Sequence, residues 1–196
     1  MLRTPCRAHC LASPLASAQR GFTLIELLIT ISLLGIVLAV GIPSFQDLIR
    51  SNQASALGVE FSRDVSRARS EAISTNRCVK MCQSDAGSGT CATTGNDWQR
   101  GWVMFALPAS CNTAANASAQ GARLLGVRYG NAPGFTLAAA PAQATLVFDP
   151  RGVVLAGGNA HYVLTYVPEG AGGRYSRSIC VSAMGRVNLQ RSVLAC

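Results

Sequence analysis

From Phe22 to Ile42 the chain runs through 21 residues with one charge, at Glu26. At about 1.5 Å per helical residue this stretch reaches roughly 30 Å, the depth of a bilayer's hydrocarbon core. Beyond Phe45 the pattern becomes amphipathic. Leu57, Phe61, Val65, Ala68 and Ala72 recur at spacings of 4, 4, 3 and 4, with Glu60, Arg63, Asp64, Arg67 and Glu71 between them. This predicts one helix over residues 22–76 that docks on a domain by a single face. Asp64–Arg67 and Arg67–Glu71 contacts are expected along its polar side. Gly35, Gly41 and Pro43 weaken it midway, since proline removes a backbone donor and crowds the preceding turn.

After Asn76 the periodicity changes to short β-rich runs separated by turn residues. The predicted strands are 77–82, 98–105, 122–128, 144–149, 161–167, 177–183 and 186–190, with Pro150–Gly152 and Gly185 as turns. No helical stretch returns, which excludes parallel crossovers. The expected fold is α+β: a long N-terminal helix on a C-terminal antiparallel sheet or sandwich over 77–196. Trp98 and Trp102 are expected in its core.

Hydrophobic residues make up 49% of the 196 positions and charged ones 13%, an excess concentrated in 22–42. Ahead of that run lie Arg3, Arg7 and Arg20 with no acid, which places the N-terminus on the cytoplasmic side and the bulk of the chain beyond the membrane. The run is too long for the core of an ordinary secretory signal, and Pro43, Phe45 and Asp47 do not form a small-residue cleavage site. The net charge of +8 falls to +5 (14 basic against 9 acidic side chains) once residues 1–21 are set aside. Every basic residue but Lys80 is arginine, which suits bidentate contact with phosphate or carboxylate but equally a solvated surface.

Six cysteines, Cys78, Cys82, Cys91, Cys111, Cys180 and Cys196, fall in the segment predicted to lie outside the cell's reducing interior, so disulfides are expected. Six cysteines allow 15 connectivities. The preferred set is Cys180–Cys196, tying down the C-terminal segment, Cys82–Cys91, closing the loop after the first strand, and Cys78–Cys111 by elimination. No second close pair completes a zinc site with Cys78 and Cys82, and no metal or cofactor is expected. The only histidine outside the first 21 residues, His161, reads as a surface or edge residue. Neither a nucleophile motif, a phosphate loop nor a dinucleotide fingerprint is present, so an enzyme is not expected.

Glu26 then needs a reason. If the chain is cut after Gly21, the new ammonium at Phe22 and the Glu26 carboxylate lie about one turn apart on one helix. They are poorly placed to pair within one subunit, but staggered neighbours can pair them, which makes the acid an assembly lock. Gly21-Phe22-Thr23-Leu24-Ile25-Glu26 followed by a long apolar helix resembles the class III signal shared by type IV pilins and type II secretion pseudopilins. The stretches "GNDWQRGWVMF", "FDPRGVV" and "RSICVSAMGRV" resemble the globular part of the GspH/FimT group within them.

That resemblance implies cleavage after Gly21 by a prepilin peptidase, N-methylation of Phe22, and packing of residues 22–42 with other pilins or pseudopilins. It implies a single-pass protein of the bacterial inner membrane with a periplasmic domain that joins a pilus or pseudopilus. The function implied is a minor pilin aiding filament initiation or tip assembly; the alternative is the H-type minor pseudopilin of a type II secretion system. Some members of the FimT branch bind DNA through a C-terminal Gly-Arg-x-Arg element. Here Gly185-Arg186-Val187-Asn188 lacks the second arginine and Arg191 follows three residues later, so Arg186 and Arg191 are the candidate phosphate contacts.

Overall fold

The computed structural model describes residues 21–85, 88–92, 94–108, 111, 121–130, 132–191 and 196. All of the expected leader (residues 1–21) but Gly21 lies outside these, as do residues 109–120 except Cys111. The chain divides into two compact units, one ending at Ser44 and the other running from Phe45 to Cys196. One helix, α1 (Leu24–Thr75), passes through the division and carries Pro43 within it.

The first unit is the apolar half of α1, with its large side chains exposed along the whole length. It is long and apolar enough to cross a membrane. The second unit is built on strands β1 (Val79–Gln83), β2 (Gly101–Ala106), β3 (Arg123–Tyr129), β4 (Phe135–Ala140), β5 (Thr145–Phe148), β6 (Val154–Ala156), β7 (Ala160–Tyr166), β8 (Arg177–Val181) and β9 (Val187–Gln190). They form two antiparallel sheets, ordered β3-β2-β1-β5-β6 and β4-β7-β8-β9. This is the α+β architecture that the hydrophobic pattern predicts.

Burial follows the 4-4-3-4 spacing. Leu57, Phe61, Val65, Ala68 and Ala72, with Ala54, form the buried face of α1. Phe61 stands edge-on to both Trp98 (5.6 Å between ring centres) and Trp102 (5.2 Å), with Tyr162 at 4.8 Å. Such edge-to-face contacts add about 0.5–1.5 kcal/mol each to the burial of the rings. Further along, Gly58 admits β9: a Cβ there would stand 2.9 Å from Leu189 Cδ1.

The polar side of α1 is used differently from expectation. Neither the Asp64–Arg67 nor the Arg67–Glu71 contact forms. Instead the helix bonds along β3 and the residues before it. Glu60 pairs with Arg128 at 2.9 Å, Arg67 Nη2 donates to the Leu125 carbonyl at 3.2 Å, Glu71 pairs with Arg123, and Arg77 Nη2 donates to the Gly121 carbonyl at 3.1 Å. The two elements run in opposite directions with matched reach. Glu60 to Thr75, the end of the helix, covers about 23 Å, with Arg77 just beyond it, and Arg128 back to Gly121 covers about 23 Å of extended chain. Asp64 points inward and accepts from Trp102 Nε1 at 2.9 Å. One backbone carbonyl of the edge strand β3, that of Leu125, is thereby bonded by the helix.

Two strands have no counterpart in the sequence reading, β4 and β6. β4 (Phe-Thr-Leu-Ala-Ala-Ala) is rich in alanine, a weak strand former, and its edge is completed by side chains more than 40 residues away. The Asn96 amide accepts from Ala139 N and donates to its carbonyl, and Asp97 Oδ1 accepts from Leu137 N. Asn96 thus stands in for a neighbouring strand. β6 has only three residues, too short for a period to show. The predicted strand 98–105 opens instead as a 3₁₀ turn, Trp98–Arg100, whose first free N–H groups are met by Asp97.

Candidate functional site

At the N-terminal end, Gly21 and Phe22 precede the helix, fully exposed. Thr23 caps it: its Oγ1 accepts from the Glu26 backbone N–H at 3.2 Å. Thr23-x-x-Glu26 is the signature of a capping box, a feature the sequence reading passed over. Glu26 therefore serves its own subunit too, since an acid in the first turn faces the positive end of the helix dipole. The capped start lies next to the expected cut, so cleavage after Gly21 would leave Phe22 as the first residue, directly ahead of the Thr23 cap.

Near the start of the second unit, α1 is fastened by Asp47. Its Oδ1 accepts from the Tyr175 hydroxyl at 2.5 Å and its Oδ2 pairs with Arg174 at 2.7 Å. The Tyr175 hydrogen bond, with the Arg174 and Arg50 charges beside it, holds the Asp47 carboxyl below its usual range. The same bond pushes Tyr175 up. Arg50 lies over the Tyr166 ring at 5.3 Å, and Tyr166 meets Tyr175 edge-on.

The two arginines proposed for phosphate contact are not brought together. Arg186 sits in the turn before β9 and Arg191 just past its far end, roughly 16 Å away along an extended strand. The four residues of β9 stand between them, and neither arginine is part of the strand itself. Arg191 lies near Arg177, whose guanidinium is disfavoured first by burial and then by Arg191. The neighbours of Arg186 come from other elements. Arg69 of α1 donates to the Gly152 carbonyl at 3.1 Å, and a Cβ on Gly185 would meet that carbonyl at 2.6 Å and Arg69 Cδ at 2.8 Å. Both turns need their glycine at positive φ (79° at Gly152, 71° at Gly185). The result is a junction of two touching turns, one carrying Arg151 and the other Arg186, with Arg69 of α1 bonded to the first. Within it Arg151 bonds to Asp149, whose carboxylate is buried, which raises its pKa, but the Val153 and Arg151 donors overcome this and hold it low.

The disulfides are Cys78–Cys111, Cys82–Cys91 and Cys180–Cys196, the set the sequence reading prefers. Cys180 and Cys196 border a cavity of about 400 Å³ that also takes in Asn159, Arg186, Asn188 and Gln190. A second cleft, about 430 Å³, lies between the 3₁₀ turn and the loop before β4. His161 is not at an edge: β7 is an inner strand, and its imidazole bonds to Ser178 on β8. Lys80 lies buried in β1, which pushes its ammonium pKa down. No three of His, Cys, Asp and Glu among the described residues group as a metal site.

Comparison with known proteins joins these observations. Residues 59–185 match the family described as type II transport protein GspH, and residues 16–42 match the prokaryotic N-terminal methylation motif. The chain is 31% identical over 120 residues to fimbrial protein Q of Moraxella bovis, a match spanning 59% of this chain and 71% of that protein. It is 40% identical over 76 residues to a fimbrial protein of Moraxella nonliquefaciens, spanning 39% of this chain and 46% of the other. The crystal structure of the type IV minor pilin FimU of Pseudomonas aeruginosa superposes with a TM-score of 0.54 at 21% identity, covering 74% of this chain and 93% of that one, a likeness of fold. With its apolar first helix, its methylation motif and its two antiparallel sheets, the chain belongs to the GspH family of type IV pilin-like proteins.

Proposed function

We propose that the protein is a minor pilin of a type IV pilus, a structural subunit and not an enzyme. A prepilin peptidase cuts after Gly21 and Phe22 is methylated. Residues 22–42 hold the chain in the bacterial inner membrane with the globular unit on the periplasmic side, until it enters a filament with other pilins near its tip. The observation that carries this reading is Glu26, the only charge between Phe22 and Ile42, on the first turn of a capped helix. A lone carboxylate in hydrocarbon costs several kcal/mol unless it is paired, and the ammonium freed at Phe22 of a neighbour supplies the partner. The test is the amount of pili sheared from cells that lack the gene. Wild-type rescue with no rescue by Glu26→Ala supports the reading; equal rescue by both overturns the role of Glu26, and unchanged pili in the deletion overturn the assignment to pilus assembly.

A second reading, the H-type minor pseudopilin of a type II secretion system, is favoured by the family match over residues 59–185. It predicts intact pili and loss of secreted protein in the same deletion strain. A role in DNA uptake draws its support from the junction of the two turns that carry Arg151 and Arg186, with Arg69 beside it, arginines that would make a salt-sensitive phosphate surface. Duplex DNA titrated against the detergent-solubilised chain should bind at low salt and lose affinity with Arg186→Ala plus Arg151→Ala. Binding that is absent, or that weakens with Arg191→Ala alone, removes this surface from consideration.

A further inference from the structure

The exposed apolar surface of α1 does not end at the membrane-length run. Phe45, Leu48 and Ile49, all in the globular unit, are 63%, 55% and 42% exposed. Asp47 and Arg50 leave the other side of the same helix, turned toward the domain and held by Arg174, Tyr175 and Tyr166. The rim of the globular unit where its chain begins thus carries three apolar side chains on one side of the helix and two arginines, Arg50 and Arg174, on the other. The acids facing them are Asp47, already bonded to Tyr175 and Arg174, and Glu169, which accepts from the Arg174 backbone N–H.

Chain length limits where this rim can lie. Asp47 follows Ile42 by five residues, which span at most about 17 Å fully extended. Arg174, at 2.7 Å from Asp47, shares that limit. Headgroup layers add about 5–8 Å to each side of the hydrocarbon core. Large apolar residues next to arginines are the composition that settles at such an interface, the rings and aliphatic chains at the boundary and the guanidinium groups among the phosphates. Arg174 spends one of its guanidinium donors on Asp47 and keeps others for a phosphate oxygen.

We propose that this rim is a lipid-facing collar, in which Phe45, Leu48 and Ile49 enter the headgroup layer while Arg50 and Arg174 bind the phosphates of anionic phospholipids. The inference rests on residues 22–42 spanning a membrane. The collar presses the globular unit against the bilayer while the subunit waits outside the filament, so extraction from the membrane has to break lipid contacts as well as withdraw the helix.

The test uses the full chain in vesicles of phosphatidylcholine alone or with one-third phosphatidylglycerol, and reads hydrogen exchange over residues 45–50 and 169–176. Phosphatidylglycerol should slow exchange in both segments at low salt by roughly fivefold for each arginine engaged. The effect should vanish at high salt and shrink in Arg50→Gln. Equal exchange in both vesicles overturns the collar, as does protection that follows the protein-to-lipid ratio and not lipid charge, which would assign the rim to neighbouring subunits. Alkaline extraction of the same vesicles separates the two readings. A chain that washes off refutes the membrane span itself, whereas one that stays embedded without lipid dependence refutes the collar alone.

Discussion

The bond from Trp102 Nε1 to Asp64 is a polar link from α1 into the aromatic core, and it permits a quantitative test. Asp64 is 7% exposed and Trp102 1%, so neither group has water to fall back on. Asp64→Ala leaves the indole N–H buried without an acceptor, at a cost of about 1–3 kcal/mol. Alanine's better helix propensity returns about 0.5 kcal/mol, so a net loss of about 1–2 kcal/mol is expected. Trp102→Phe removes the donor instead and strands a buried carboxylate, with Arg63 3.7 Å away as its remaining partner. The double variant loses packing but strands neither group. The single losses should therefore exceed the double by about 1.5–3 kcal/mol, the range for hydrogen bonds to charged groups. Urea unfolding of the full chain in detergent, followed by tryptophan fluorescence, measures it, since Trp98 and Trp102 are both buried. In thermal scans each kcal/mol should move the midpoint by about 2–4 °C for a unit of this size. A coupling below about 0.5 kcal/mol would show that the bond contributes nothing, and that Phe61 packing alone seats the helix.

Three further outcomes are expected. Gly58→Val should destabilise the globular unit by about 1–3 kcal/mol, because its Cβ meets Leu189; unfolding with Leu189→Ala added should recover part of the loss. Replacing Cys180 and Cys196 by serine opens a loop of 16 residues and should cost about 3 kcal/mol in the chain-entropy model, read as a lower urea midpoint against the untouched protein. Asp149 has a folded pKa below its ordinary 3.8. Its stabilising contribution is therefore full above that value and is lost as pH falls through the lower, folded one. Acid unfolding should become less steep in Asp149→Asn, and an unchanged profile would contradict this assignment.

Linear features were legible in the sequence and spatial ones were not. The Gly21–Glu26 motif, the helix and its buried face are set by spacing along a single element, and the structure places the helix within two residues of its expected ends. The ion pairs predicted along α1 failed because spacing rules describe an isolated helix, whereas Glu60, Arg67 and Glu71 find partners on β3. β4 escaped notice because Asn96 and Asp97, not its own alanines, complete its edge. Arg186 and Arg191 looked close because five residues is a short stretch of text, but on a strand it is a long distance. Arg69 and Arg151 gave no sign of joining Arg186, although the glycines at 152 and 185 marked the two turns that let them meet.

The contacts of α1 and Arg77 just beyond it with β3 and Gly121 just before it have a mechanical consequence when the helix is pulled. Glu60–Arg128, Arg67–Leu125, Glu71–Arg123 and Arg77–Gly121 are set out along the direction in which that helix is pulled. A force along the axis loads all four together in shear, so none yields before the others share the strain. A force across the axis would load the end contact first and peel the rest in turn. The joint is therefore strong along the helix axis and weak sideways.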